Sequence, residues 1–232
     1  MNIPSPLYTS PHPCEREACI KTVLVAISFH YRELRPVGKG PARVALLPGA
    51  WNPPTIAHVA MARAALSWAD EVVLILPRAL PHKEFEGVTF HDRVALLTAV
   101  AAARRFSAAT ADRGLYVEMA NDATEYFGEG TEVGLVCGRD AAERIASWDY
   151  GRPGVFDEML TRYPLLVAGR AGEYRAAPAH AGKVVDLPLG DSFNEVSSTE
   201  IRRRIAAGEE WRSLVPGEIA EAVERLYRHQ GK

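Results

Sequence analysis

The chain has 232 residues, 47% apolar and 24% charged, the composition of a globular protein long enough to bury its own core without a disulfide or metal staple. Its formal charge of -2, from 27 basic and 29 acidic residues, excludes the basic surface that a general nucleic-acid binder needs, so no nucleic-acid partner is expected. No apolar run reaches bilayer length, the start lacks a signal-type pattern, and Cys14, Cys19 and Cys137 lack zinc-like spacing, so a cytoplasmic protein with free thiols and no membrane partner is expected.

Residues 1–13 hold four prolines and little to bury, and read as an irregular arm. With the rest of 1–40 they are expected to form a partly disordered extension outside a domain at 41–232. Within it, Lys21–Tyr31 suits a short strand or a buried helical turn, and Pro36–Pro41 reads as a linker. Val44–Leu47, ending in Pro48-Gly49, suits a buried parallel strand. Thr55–Trp68 then reads as a helix, Glu71–Leu76 as a buried strand, and Phe90–Arg105 as a helix begun by a Thr89/Asp92 capping pair. Further strands are expected at Leu115–Met119, Glu132–Cys137, Leu165–Ala168 and Val184–Leu187. Ser198–Ala207 and Pro216–Arg228 close the chain as helices. The alternation predicts an α/β fold, a Rossmann-like doubly wound parallel sheet of five to six strands with helices on both faces.

In such a sheet ligands sit beyond the carboxyl ends of the strands, at the switch point. The segment Pro48–His58 lies there. Gly49 lets the backbone turn, Pro53-Pro54 stiffens the approach to the helix, and the helix start offers N–H groups to an anion. Thr55 and His58 add a hydroxyl and an imidazole. Alone, the same letters describe a strand–helix loop in which Thr55 caps and His58 is surface. A second segment, Val196–Arg202, sets Ser197, Ser198 and Thr199 at a helix start, with Arg202 three residues past Thr199 on the same face. Ser197 with Glu200 also spells a capping box.

Together, GAWNPPTIAH and VSSTEIR resemble the two signatures of the (H/T)xGH nucleotidyltransferases. Within that superfamily the chain is most similar to bacterial nicotinate/nicotinamide mononucleotide adenylyltransferases, from about Val44 to Leu226. The resemblance implies transfer of AMP from ATP to the mononucleotide, with release of pyrophosphate, in NAD biosynthesis. It implies ATP contacts from Gly49, Ala50, Trp51, Asn52, Thr55 and His58, from Gly138 and Asp140 in Gly138-Arg139-Asp140, and from Ser197, Ser198, Thr199 and Arg202. His58, Thr55, Lys83 (in Pro81-His82-Lys83) and Arg202 are the implied catalytic residues. Lys83, Arg93 and Trp148 are the implied mononucleotide contacts, Trp148 by stacking on the pyridine ring. Loop lysine, salt-bridge arginine and core tryptophan are the plainer readings of those three.

The partners implied are small-molecule nucleotides. A Mg²⁺ ion held through the ATP phosphates is expected, with no protein metal cluster. The attacking 5′-phosphate is already an anion, so alignment and charge stabilisation carry the reaction and no strong base is needed. Three features depart from the family pattern. Thr55 stands where nicotinate enzymes carry histidine, Ala57 where they carry glycine, and Asn121–Gly130 is shorter than their serine/threonine/tyrosine-bearing segment and lacks a matching motif, leaving Thr124, Tyr126 or a rearranged loop to substitute. These leave room for another phosphate-bearing acceptor or a non-catalytic nucleotide-binding regulator. No G-x-G-x-x-G follows the first strand and no P-loop occurs, which disfavours a dinucleotide oxidoreductase and a P-loop ATPase. The 1–40 arm suits either packing on the domain or a homo-oligomer interface.

Overall fold

The protein was analysed as a computed structural model, which describes residues 26–33, 40–79, 87–169, 174–189 and 193–228. In chain order the elements are β1 (Ile27–Tyr31), β2 (Arg43–Pro48), α1 (Ile56–Ala65), β3 (Glu71–Pro77), α2 (Phe90–Arg104), β4 (Ser107–Ala111), α3 (Tyr116–Phe127), β5 (Glu132–Gly138), α4 (Arg139–Ser147), α5 (Val155–Arg162), β6 (Leu165–Gly169), β7 (Val184–Pro188), α6 (Ser198–Ala207) and α7 (Ala220–Tyr227).

The seven strands form one sheet in the order β1-β4-β3-β2-β5-β6-β7. Every neighbouring pair is parallel except β1 and β4. Because side chains alternate across a strand, the sheet separates two apolar clusters. Ala45 and Leu47 of β2, with Leu74 and Leu76 of β3, pack against α1, α2 and the C-terminal helices. Val44 and Leu46, with Val73 and Ile75, pack against α3, α4 and α5 on the other face. This is the expected doubly wound architecture. Near-continuous apolar runs in β2 and β3 follow from burial on both faces.

Four details differ from the sequence reading. The sheet has seven strands, and its antiparallel edge strand β1 comes from the stretch assigned to the N-terminal extension. The strand expected at Leu115–Met119 does not exist, because that segment begins α3, where the Glu118 carboxylate accepts from the Leu115 N–H at 3.2 Å. The missing strand is β4, Ser-Ala-Ala-Thr-Ala, which carries no large apolar residue and so gave no β signal. Helices α4 and α5 were also unread. The Thr89 cap of α2 is present, its hydroxyl accepting from the Asp92 N–H at 3.1 Å. Pro216–Arg228 resolves into a 3₁₀ turn at Gly217–Ile219 followed by α7.

The strand order reverses between β2 and β5. Their carboxyl ends, Pro48 and Gly138, therefore open a crevice at the switch point. No helix among the described residues is long and apolar enough to cross a membrane.

Candidate active site

A cleft of about 650 Å³ occupies that crevice, within the usual range for small-molecule sites. Its first wall is the turn after β2. The Gly49 N–H donates to Ile75 O at 3.0 Å, and Trp51, at φ 51°, turns its indole down so that Nε1 donates to the same carbonyl at 2.7 Å. A Cβ on Gly49 would lie 3.1 Å from Cε2 of that buried ring, so the turn needs glycine for space. The Asn52–Pro53 peptide is cis. Two side chains hold the turn from behind: Arg93 Nη1 donates to Ala50 O at 3.1 Å, and the Tyr227 hydroxyl donates to Asn52 Oδ1 at 2.6 Å.

Thr55 is the N-cap of α1. Its hydroxyl accepts from the His58 N–H at 3.2 Å, while its own N–H donates to His58 Nδ1 at 3.0 Å. That backbone donor makes Nδ1 an acceptor, so bonding assigns the proton of the neutral imidazole to Nε2. His58 lines the cleft and lies with its ring 4.9 Å from that of Trp51.

The second wall is the start of α6. Ser197 caps it, accepting from the Glu200 N–H at 3.1 Å. The capping box is only half made, because the Glu200 carboxylate turns to Arg203 and Arg204, which hold it down at a pKa of about 2. Next in line, the Ser198 hydroxyl donates to Pro53 O at 2.7 Å and Arg202 Nη1 donates to Asn52 O at 2.6 Å. The two motifs are thus bonded to each other directly, side chains of the later one securing carbonyls of the earlier.

The third wall comes from β5, α4 and α3. Gly138 ends β5 and caps α4, with Arg139 and Asp140 in the first turn. Ala141, Arg144, Ile145 and Trp148 all line the cleft, a spacing that lays one face of α4 along it. Gly114, Leu115 and Tyr116 bring the start of α3 to the same space. Burial pushes the Tyr116 phenol and the Cys137 thiol up, so both stay protonated and Cys137 is no nucleophile. The Tyr150 hydroxyl donates to Ile145 O at 3.1 Å, and burial raises it to about 12. The lining carries three arginines and one carboxylate, Asp140, among the described residues, a balance that attracts anions.

Residues 46–204 match the cytidylyltransferase-like family. The chain belongs to that family. Among curated relatives it is similar to the probable nicotinate-nucleotide adenylyltransferase of Anaeromyxobacter dehalogenans, 32% identical over 208 residues, covering 82% of this chain and 98% of the relative. It is likewise similar to that of Chromohalobacter salexigens, 32% identical over 214 residues, covering 80% and 93%. Among solved structures, the nicotinic acid mononucleotide adenylyltransferase of Plasmodium falciparum complexed with NaAD shares the fold, with a TM-score of 0.58 at 17% identity over 80% of this chain and 97% of that one. This cytidylyltransferase-like protein is a nucleotidyltransferase, as the two motifs implied.

In this cytidylyltransferase-like chain, most of the expected site residues converge. Gly49, Ala50, Trp51, Asn52, His58, Gly138, Asp140, Trp148, Ser197, Ser198, Thr199 and Arg202 all line the cleft. Two do not. Thr55 is 1% exposed and committed to capping, so it orients His58 from below. Arg93 is 3% exposed and holds the Ala50 carbonyl. Lys83 lies outside the described residues. Ala57 is buried and is not among the residues that line the cleft. Residues 121–127 belong to α3, and it is Tyr116 at its start, not Thr124 or Tyr126, that lines the cleft. Sequence reading missed Tyr116, Arg144, Tyr150 and Asn194. A helical reading from Arg139 onward would have placed Arg144 and Trp148 on one face.

Proposed function

We propose that the protein transfers AMP from ATP to nicotinate mononucleotide and releases pyrophosphate. The observation that carries this is the direct bonding of the Ser198–Arg202 helix start to the Asn52–Pro53 turn, in a cleft that Trp148 also lines. The start of α6 brings hydroxyls, helix-start amides and a cationic group suited to a phosphate chain to the cleft. The end of α4 brings a half-buried ring, Trp148, suited to a flat heterocycle. The names of the curated relatives point to the same acceptor.

In this reading the 5′-phosphate of the acceptor attacks the α-phosphorus of ATP in line. His58 donates from Nε2 to the transferring phosphate. Ser198, Thr199 and the start of α6 hold the β- and γ-phosphates, with Arg202 adding charge where the leaving group forms. Thr55 keeps the imidazole in the required tautomer. The donor set of hydroxyls, amides and arginines suits phosphate oxygens. Asp140 is the single lining carboxylate among the described residues, which fits a Mg²⁺ ion that arrives on the triphosphate and retains its waters. When bound, that ion neutralises charge on the phosphates.

Incubation with Mg-ATP and nicotinate mononucleotide, followed by mass spectrometry, tests the proposal. Equimolar dinucleotide and pyrophosphate are expected. Pyrophosphate release only with some other phosphate ester, or ATP binding without turnover, would overturn it.

A further inference from the structure

The third wall of the cleft includes Gly114, Leu115 and Tyr116, which lead from the end of β4 into the first turn of α3. Little in their own side chains fixes them there. Leu115 is the N-cap residue of α3 and has no side-chain oxygen to accept the first-turn N–H groups, the usual anchor of a helix start. Glu118 answers one N–H, that of Leu115 itself, at 3.2 Å.

A second tie comes from further along the helix. Arg113 Nη2 donates to Asp122 Oδ1, nine residues on. Asp122 is 3% exposed, whereas the Arg113 side chain is half exposed. The helix around Asp122 is itself well anchored. Met119, Ala120 and Ala123 are buried in the core, and the Tyr163 hydroxyl donates to Asn121 Oδ1 at 2.8 Å while accepting from the Thr124 hydroxyl at 3.3 Å. Arg113 therefore binds a segment of the cleft wall to a fixed stretch of helix.

As a source of stability the pair is weak. Asp122 Oδ2 is buried with no hydrogen-bond partner among the described residues, and the desolvation of such a carboxylate offsets most of what the pairing contributes. What the pair fixes is the position of the chain between β4 and α3. The proposed reading gives the Asn52–Pro53 turn and α6 to the triphosphate, which leaves this wall to the acceptor.

We infer that Arg113 and Asp122 are positioning residues that hold the start of α3 as a binding wall for the mononucleotide acceptor. Neither lines the cleft, so both act through Gly114, Leu115 and Tyr116. The inference rests on the proposed reaction for the identity of the acceptor alone.

Three variants of the full chain separate position from stability. Arg113→Ala/Asp122→Asn removes the tie and leaves no unpaired charge in the core, so the fold survives. Calorimetric titration of this double variant with nicotinate mononucleotide should show binding weaker on the order of 10-fold, with Mg-ATP affinity within about 3-fold. In amide hydrogen exchange its 112–118 segment should exchange faster while the β2 and β5 segments keep their rates. Asp122→Asn alone keeps an acceptor oxygen for Arg113 and should lose less affinity than the double variant. Arg113→Lys keeps a charged donor without the fork and should retain part of the effect. Unchanged mononucleotide affinity, equal weakening of both ligands, unchanged exchange at 112–118, or no mononucleotide binding by the unsubstituted protein would overturn the inference. Selective weakening in a protein that makes no dinucleotide would sink the proposed reaction and leave this inference standing. Dinucleotide formation by the double variant at an unchanged KM for the mononucleotide would do the reverse.

Discussion

The Tyr227 hydroxyl donates to the side-chain oxygen of Asn52 at 2.6 Å, and both residues are buried, at 5% and 7% exposure. A residue of the last helix thereby fixes the turn that begins the site. Asn52 also gives its backbone oxygen to Arg202, so this one residue joins α6 and α7 to the end of β2.

Replacing Tyr227 by phenylalanine leaves Asn52 Oδ1 buried without that donor. Such an orphan costs about 1–3 kcal/mol. Tyr227→Phe should lower the thermal midpoint, and KM for ATP should rise more than kcat falls, because the turn loosens while His58 keeps its own partners. Unchanged KM and midpoint would show that the turn holds itself.

His58→Ala should reduce kcat by at least about 100-fold if Nε2 stabilises charge on the transferring phosphate. Thr55→Val should combine a loss of about 1 kcal/mol of stability from the missing cap with a fall in kcat, since the imidazole loses a partner that fixes it. Thr55→Ser retains the hydroxyl and should recover most of both. A Thr55→Val enzyme with full turnover would remove the residue from the mechanism.

Gly49→Ala introduces a methyl 3.1 Å from an indole that is 1% exposed and hydrogen-bonded at Nε1. The ring must therefore shift by a few tenths of an ångström while it is held at Nε1. Overpacking of this kind costs about 1–3 kcal/mol, so denaturant unfolding should show a lower midpoint with the slope unchanged. ATP affinity should fall with it.

The Glu200 carboxylate, held down to about 2 first by Arg203 and then by Arg204, gives a signed pH expectation. Its folded pKa lies below the ordinary value of 4.5, so its contribution is present above about 4.5 and disappears as pH falls through about 2. Carboxyl-carbon NMR should find the midpoint near the lower value. Arg203→Gln should move it upward, and a midpoint that stays put would show that Arg204 alone holds the group.

Much of this was readable from the letters, for physical reasons that differ by segment. Val44–Leu47 and Glu71–Leu76 announce themselves because strands buried on both faces must be apolar throughout. VSSTEIR and GAWNPPTIAH stood out because small hydroxyl residues at a helix start and a stiff glycine–proline turn are the pattern that suits an anion. Ser107–Ala111 was illegible, since a strand of small residues has no local signature and is defined by pairing with β1 and β3. Leu115–Met119 looked like a strand by its Val and Tyr, while the signal that decides for helix is a single acid, Glu118, reaching back to one N–H. The cleft position of Tyr116 depended on the second of those stretches, and those of Arg144 and Tyr150 on reading α4 as a helix. Thr55 and Arg93 were recognised by type, but which way each pointed was a matter of packing, beyond the reach of spacing alone.

The bonds from Ser198 to Pro53 and from Arg202 to Asn52 span 145 and 150 residues of sequence. A ribosome making this chain releases the first half of the phosphate cradle long before the second. Until α6 has emerged, the turn after β2 has only water for those two carbonyls. In the proposed reading, nucleotide capture therefore waits for α6, and ATP would stabilise only chains that include it.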